Sequence, residues 1–256
     1  MTEALATAHS TPRGRYVATK VPQVTVAFWA VKILTTGLGE ATSDYLAAHN
    51  RVVAVLATGA LLLAALGWQL RTSRYRPLAY WVTVAMVAIF GTMAADAAHV
   101  ILGIPYAVTT VGYSVALAVV LVWWWRSEGT LSIHSIVTPR RELFYWATVL
   151  ATFALGTAAG DLTAYTLGWG YLPSAVFFGV AILVPLVAWR LGAAEVGMFW
   201  TAYVLTRPLG ASVADWLGKP STKGGGLGFG DGTVTLCGFA ILAVALAGLV
   251  RASRDG

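Results

Sequence analysis

Glu40, Asp44, Asp96, Asp161 and Asp215 are carboxylates set within or at the ends of long apolar stretches, and Lys32 and Arg207 are the cations that share those stretches. An ionised group at the centre of a bilayer costs a few kcal/mol even on lenient scales, so such side chains turn toward protein or water. Gathered in one interior, the five carboxylates and two cations carry a formal charge of −3, with His99 neutral. Close carboxylates in a low dielectric cannot all stay ionised, so the cluster has to hold cations or protons. Hard oxygen ligands without a thiolate favour manganese, magnesium or calcium over zinc or copper. Glu40 and Asp44 lie one turn apart on one helix face, where they can chelate one ion or hold one proton between them. The five carboxylates are therefore candidate metal ligands, and Lys32, Arg207 and His99 are candidate members of the same ion-binding site.

The elements that position these residues announce themselves by spacing. Trp29, Gly39 and Asp44 are separated by ten and then five residues, and the same separations recur in Trp81, Gly91, Asp96, in Trp146, Gly156, Asp161, and in Trp200, Gly210, Asp215. From this composition a given Trp should begin such a triplet by chance roughly once in 400 times. Four of the six Asp residues fall in the pattern, and an aromatic precedes each Trp: Phe28, Tyr80, Tyr145 and Phe199. On an α-helix, positions +4, +7, +11 and +15 from the Trp fall on one face. That stripe reads Trp29, Ile33, Thr36, Glu40, Asp44; then Trp81, Ala85, Ala88, Thr92, Asp96; then Trp146, Leu150, Phe153, Thr157, Asp161; then Trp200, Val204, Arg207, Ala211, Asp215. Glu40 and Arg207 break the repetition, because their counterparts are mostly neutral.

The chain of 256 residues is 58% apolar and only 11% charged, whereas a soluble domain carries about 25% charged residues. Stretches long enough to span a bilayer lie at approximately 23–48, 52–70, 79–102, 106–125, 143–168, 172–189, 197–217 and 232–250. Of the 17 Lys and Arg residues, twelve (Arg13, Arg15, Lys20, Arg71, Arg74, Arg76, Arg126, Arg140, Arg141, Arg190, Arg251, Arg254) fall on one side and three (Arg51, Lys219, Lys223) on the other. The positive-inside rule then puts both termini in the cytoplasm of a multi-pass protein of the cell (inner) membrane. The expected fold is an all-α transmembrane eight-helix bundle of four parallel tandem two-helix repeats, at approximately 23–76, 77–140, 141–195 and 196–251. Residues 1–22 form a basic cytoplasmic tail before a single membrane domain at 23–251. Two spans per unit keep all repeats in one orientation, and four units that cannot bury a polar face alone should surround a shared interior.

Other chemistries find little support. The net charge of +6 is spread between apolar runs rather than on one basic face, which argues against nucleic acid. Cys237 is the single cysteine, so there is no disulfide framework and no thiolate metal site. Phosphate-loop and dinucleotide fingerprints are absent, and no cofactor is called for beyond a bound divalent cation. Gly-Phe-Gly-Asp at 228–231 matches the Gly-x-Gly-Asp of intramembrane aspartyl proteases, but no Pro-Ala-Leu segment accompanies it. The surrounding GGGLGFGDG at 224–232 reads instead as a flexible or re-entrant outer loop whose glycines allow close backbone approach.

The stretches FWAVKILTTGLGEATSDY (28–45), YWVTVAMVAIFGTMAAD (80–96), YWATVLATFALGTAAGD (145–161) and FWTAYVLTRPLGASVADWLGKP (199–220) resemble a family of bacterial membrane proteins. Its members carry four tandem two-helix repeats with a signature Trp and are usually labelled uncharacterized or membrane-anchored. The resemblance implies the architecture and carries a weak association with manganese export. The expected function is a secondary transporter or exporter of a cationic solute, most readily a hard divalent metal ion such as manganese, coupled to protons through intramembrane carboxylates. Membrane lipids, the solute and protons are the expected partners, without an enzymatic reaction. The alternatives are a non-transporting sensor, assembly factor or scaffold and, more remotely, an intramembrane enzyme.

Overall fold

The structure, a computed structural model, describes residues 19–255. The preceding part of the basic tail, with Arg13 and Arg15, lies outside the described residues. The helices are α1 (Val26–Leu70), α2 (Pro77–Val100), α3 (Tyr106–Glu128), α4 (Pro139–Asp161), α5 (Tyr171–Ala181), α6 (Leu183–Arg190), α7 (Glu195–Gly218) and α8 (Asp231–Asp255). Their starts follow from local chemistry. Thr25 accepts from the Phe28 amide at the head of α1, and Thr138 accepts from the Arg141 amide at the head of α4. Pro77 and Pro139 open α2 and α4, where a missing N–H costs nothing.

Among the described residues, six helical runs are long and apolar enough to cross a membrane: Val26–Leu70, Pro77–Val100, Tyr106–Glu128, Pro139–Thr166, Tyr171–Arg190 and Asp231–Ser253. The helices do not separate as the spans were drawn. The stretches 23–48 and 52–70 fall in one 45-residue run, α1, broken at Asn50, where φ −159° and ψ 102° leave the helical region. The Asn50 side chain accepts from the Val53 amide and so caps the second half of the run. The stretch 172–189 is divided between α5 and α6. The run Pro139–Thr166 is α4 extended by a π-helical turn, Leu162–Thr166. The helix α7, which carries Glu195, Arg207 and Asp215, is not among the six.

The first half of α1 and the helices α2, α4 and α7, which carry the repeated motif, form a closed ring. The glycine of each motif receives the +7 residue of the next. An added Cβ on Gly39 would lie 2.5 Å from the Ala88 Cβ, one on Gly91 would lie 2.9 Å from the Phe153 Cβ, and one on Gly156 would lie 2.5 Å from the Arg207 Cβ. The circle closes at Gly210, where a Cβ would lie 2.6 Å from that of Thr36. The aromatics repeat the same order one layer below. Phe28 meets Trp81 at 5.7 Å between ring centroids, Tyr80 meets Trp146 at 5.6 Å, Tyr145 meets Trp200 at 6.1 Å, and Phe199 returns to Trp29 at 5.6 Å. Small residues at such crossings let helices approach without the aid of water, which is how membrane helices associate. Trp81, Trp146 and Trp200 are buried within this layer; they are packing residues rather than interfacial anchors.

The remaining helices pack outside the ring. Over its most apolar 18 residues α2 is 72% buried, whereas α3 is 17% and α8 is 17%. The exposed faces of α3 and α8 are aliphatic, with Val108, Val111, Val115 and Val119 on one and Leu236, Ile241 and Val244 on the other, the surface that lipid requires. At the end of the bundle where the chain enters, Lys20 lies in the packed interior rather than in a free tail. Its Nζ donates to Glu142 Oε2 at 2.5 Å and to the Leu70 carbonyl at 3.1 Å, and Gln69 donates to Glu142 Oε1 at 2.9 Å.

The ring makes a direct prediction. Gly39→Ala should destabilise the protein by about 1–3 kcal/mol, because the added methyl meets the α2 backbone at Ala88. Gly112→Ala, on an exposed face of α3 with nothing within 4 Å of the added atom, should be neutral or slightly stabilising. Equilibrium unfolding in mixed micelles measures both, and equal effects would contradict the ring.

Candidate functional site

Arg207 stands at the centre of the site and has no exposed surface. Its stem fits only because Gly156 has no side chain. Pro208 follows it inside α7 and removes one helical hydrogen bond there. The guanidinium reaches all the other motif helices. One of its terminal nitrogens, Nη2, donates to Glu40 Oε2 at 2.7 Å, to Thr157 Oγ1 at 2.7 Å and to Thr92 Oγ1. The other, Nη1, donates to the Thr36 carbonyl at 3.3 Å. Glu40, Thr92 and Thr157 are the +11 residues of the first three motifs, so three repeats converge on a cation supplied by the fourth. The threonine hydroxyls donate their own protons back along their helices, Thr92 to the Ala88 carbonyl and Thr157 to the Phe153 carbonyl. Their lone pairs are thereby left for Arg207. The Phe153 ring covers the guanidinium, with its centroid 5.1 Å from the central carbon.

On the side of this layer toward Asp44, the carboxylates gather. Ligand oxygens of Glu40, Asp44 and Asp96 all lie within 4.8 Å of one another. Glu40 is buried, and Asp44 and Asp96 are half-buried. Among the described residues, Asp161, Asp215 and His99 fall outside this group. Asp161 ends α4, half-buried, where the π-helical turn begins, and Asp215 is buried in the last turn of α7. His99 is held aside: its Nδ1 donates to the Ile104 carbonyl at 2.8 Å, and its ring stacks on Tyr106 at 3.8 Å.

Lys32 corrects the sequence-based picture of two cations among five carboxylates. It is buried one turn below Arg207, toward the tryptophan layer, with Nζ 4.3 Å from the Phe153 centroid and 4.2 Å from that of Tyr203. Among the described residues the amine has no hydrogen-bond partner. Arg207 and the aromatic faces separate it from the carboxylates.

In its place the site contains a cation that the sequence places between the spans. Lys219 Nζ lies 2.6 Å from Asp44 Oδ2 and 2.9 Å from Asp231 Oδ2. Burial alone would pull this ammonium down, but the charges of Asp44 and Asp215 outweigh it and hold it above the ordinary lysine range. The glycine-rich loop fixes both partners. The amides of Leu227, Phe229, Gly230 and Gly228 donate to the carbonyls of Trp216, Leu217, Gly218 and Lys219, which satisfies the open end of α7. Gly224, Gly225, Gly228 and Gly230 adopt positive φ along this path. The loop is therefore hydrogen-bonded against a helix end rather than loose. Asp231, of the Gly-Phe-Gly-Asp segment, is bound to Lys219. Charge was the available signal for Lys219 and Asp231, but the fold of the loop decides where each goes.

These features define an all-α protein of four repeats with several helices suited to a membrane and an acidic cluster over a buried arginine. A family model described as Repeat of Unknown Function (DUF347) matches residues 27–75, 79–130, 144–192 and 198–255. The chain belongs to the DUF347 family. No curated protein and no solved structure matches it.

The Arg207–Glu40 pair should couple strongly. Arg207→Ala leaves a buried carboxylate unpaired and should cost about 3–5 kcal/mol, and Arg207→Lys should cost less. Adding Glu40→Gln to Arg207→Ala should recover part of the loss, giving a coupling energy above about 1 kcal/mol in unfolding measurements. Additivity of the two changes would show that the pair contributes nothing as a unit.

Proposed function

We propose that this protein is a secondary membrane transporter or exporter of a cationic solute, most readily a hard divalent ion such as manganese, with protons as the coupling ion. The reading rests on the convergence of Glu40, Asp44 and Asp96 inside the helix ring. A hard ion binds oxygen at about 2.0–2.6 Å, so ligands on opposite sides of it stand about 4–5 Å apart, and the oxygens of this group all lie within 4.8 Å of one another. The oxygens suit manganese, magnesium or calcium, and Cys237 is exposed away from them. Metal and protons compete for the same oxygens, which supplies the coupling.

The membrane arrangement belongs to the same proposal. Division of α1 at Asn50 and continuity of α5 with α6 give eight crossings, two per repeat. Arg71, Arg74, Arg76, Arg126, Arg140, Arg141, Arg190 and Arg251 then face the cytoplasm, with both termini, across the cell (inner) membrane. Glu40, Asp44, Asp96, Asp161 and Asp215 lie toward the outer side. The second reading, a non-transporting sensor, assembly factor or scaffold, is favoured by the hydrogen bonds that the terminal nitrogens of Arg207 make across the ring. Any transport cycle has to open that network.

Manganese flux in proteoliposomes, with and without a pH gradient, tests the proposal. Flux should depend on the gradient, weaken as the pH on the binding side falls, and disappear in Glu40→Gln and Asp96→Asn proteins that still insert. Flux that ignores the gradient and both substitutions would leave the scaffold reading in its place.

A further inference from the structure

Asp44 has two claims on it. It belongs to the Glu40–Asp44–Asp96 group, and it already binds the Lys219 ammonium at 2.6 Å. A second carboxylate, Asp231, stands on the other side of the same ammonium at 2.9 Å. We propose that Lys219 is a tethered competitor for the cation site: an incoming ion has to displace its ammonium from Asp44, and Asp231 holds the displaced group. The inference rests on the reading of Glu40, Asp44 and Asp96 as a cation site and adds to it the residue that sets its selectivity.

The anchoring of Lys219 suits this role. Its amide donates to the Asp215 carbonyl at 2.8 Å, and its carbonyl accepts from Gly228 at 2.8 Å. Gly226 packs so closely on that carbonyl that a Cβ there would collide with it. The backbone is thus fixed at both sides, and the flexible four-carbon stem is the part that can swing. Asp231 is fixed too, in the first turn of α8, with Oδ1 buried and, among the described residues, without a hydrogen-bond partner. A lysine fits this role better than an arginine, because its ammonium is a compact point charge with rotatable donors that can leave one carboxylate for another. All three side chains are about one-fifth exposed, at 18% for Lys219 and 21% for Asp44 and Asp231, so the exchange takes place where water can reach.

The competition discriminates by charge. A tethered ammonium acts at a high effective concentration. A monovalent ion offers Asp44 the same charge and has to overcome that concentration. A divalent ion offers twice the charge and draws on Glu40 and Asp96 as well. Lys219 therefore weakens the binding of sodium and potassium more than that of divalent ions, and its single positive charge offsets part of the charge of Asp44 and Asp231 when the site is empty.

The test uses the full chain in detergent, with manganese as the probe and sodium as competitor, by calorimetry or by the manganese electron-spin signal. Lys219→Met should tighten manganese binding by about tenfold or more, the scale of a removed close charge pair, and should let sodium compete more effectively. Asp231→Asn should weaken manganese binding, because Lys219 then rests on Asp44 alone. Lys219→Arg, which retains the cation, should not reproduce the gain and serves as the second variant if the methionine protein does not fold. If the wild type binds and Lys219→Met binds no tighter, or if Lys219→Met and Asp231→Asn shift affinity the same way, Lys219 is not a competitor. Absence of manganese binding in both wild type and Lys219→Met would overturn the cation-site reading itself, and this inference with it.

Discussion

A guanidinium without exposed surface has to be matched inside the protein, and the matching of Arg207 organises the rest of the molecule. Its partners come from different repeats: a carboxylate from the first, hydroxyls from the second and third, and a main-chain carbonyl from the first again. No pair of helices could satisfy it. The charge therefore holds the ring to a single arrangement, since removal or rotation of one motif helix leaves a buried donor or a buried carboxylate unpaired. The glycines make this possible by bringing the helices close enough for side chains to meet across the interior.

Most of each motif serves the ring, and a few departures from repetition create the site. The tryptophans, their preceding aromatics and the motif glycines are shared by all repeats and make equivalent contacts from each to the next. Symmetry is broken where chemistry is located: Glu40 stands where the others have Thr or Ala, Arg207 where they have Thr, Ala or Phe, and Lys32 where they have Val or Tyr. The acidic group then sits on one side of Arg207 and the unpartnered amine of Lys32 on the other. Under the proposed function, a cation held by Glu40, Asp44 and Asp96 would meet two positive groups before it reached the tryptophan layer, and release toward that layer would require Arg207 to move with Glu40.

The ten-plus-five spacing was sufficient to read the repeats, and the helical stripe was sufficient to bring Thr36, Glu40, Thr92, Thr157 and Arg207 to one interior. Helix period carries that information, because it fixes which positions share a face. It does not carry the path of a long side chain. Lys32 lies near the stripe, yet its amine points between Phe153 and Tyr203, residues from two other helices whose meeting is a tertiary fact. Nor does it carry loop geometry. The glycines at 224–230 marked a segment able to approach backbone closely, but Lys219 and Asp231 meet Asp44 only because the loop amides settle on the carbonyl end of α7. The break at Asn50, by contrast, falls between the stretches 23–48 and 52–70, although no glycine or proline marks it.

The proposed transport depends on a hard cation held jointly by Glu40, Asp44 and Asp96 above the Arg207 layer. An experimental structure of the full chain with manganese, with the ion located by its anomalous scattering, tests this most directly. One strong peak is expected among those three carboxylates, with the Lys219 ammonium drawn away from Asp44 toward Asp231. A manganese-saturated structure with no peak there, and with Lys219 still bridging Asp44 and Asp231, would contradict it.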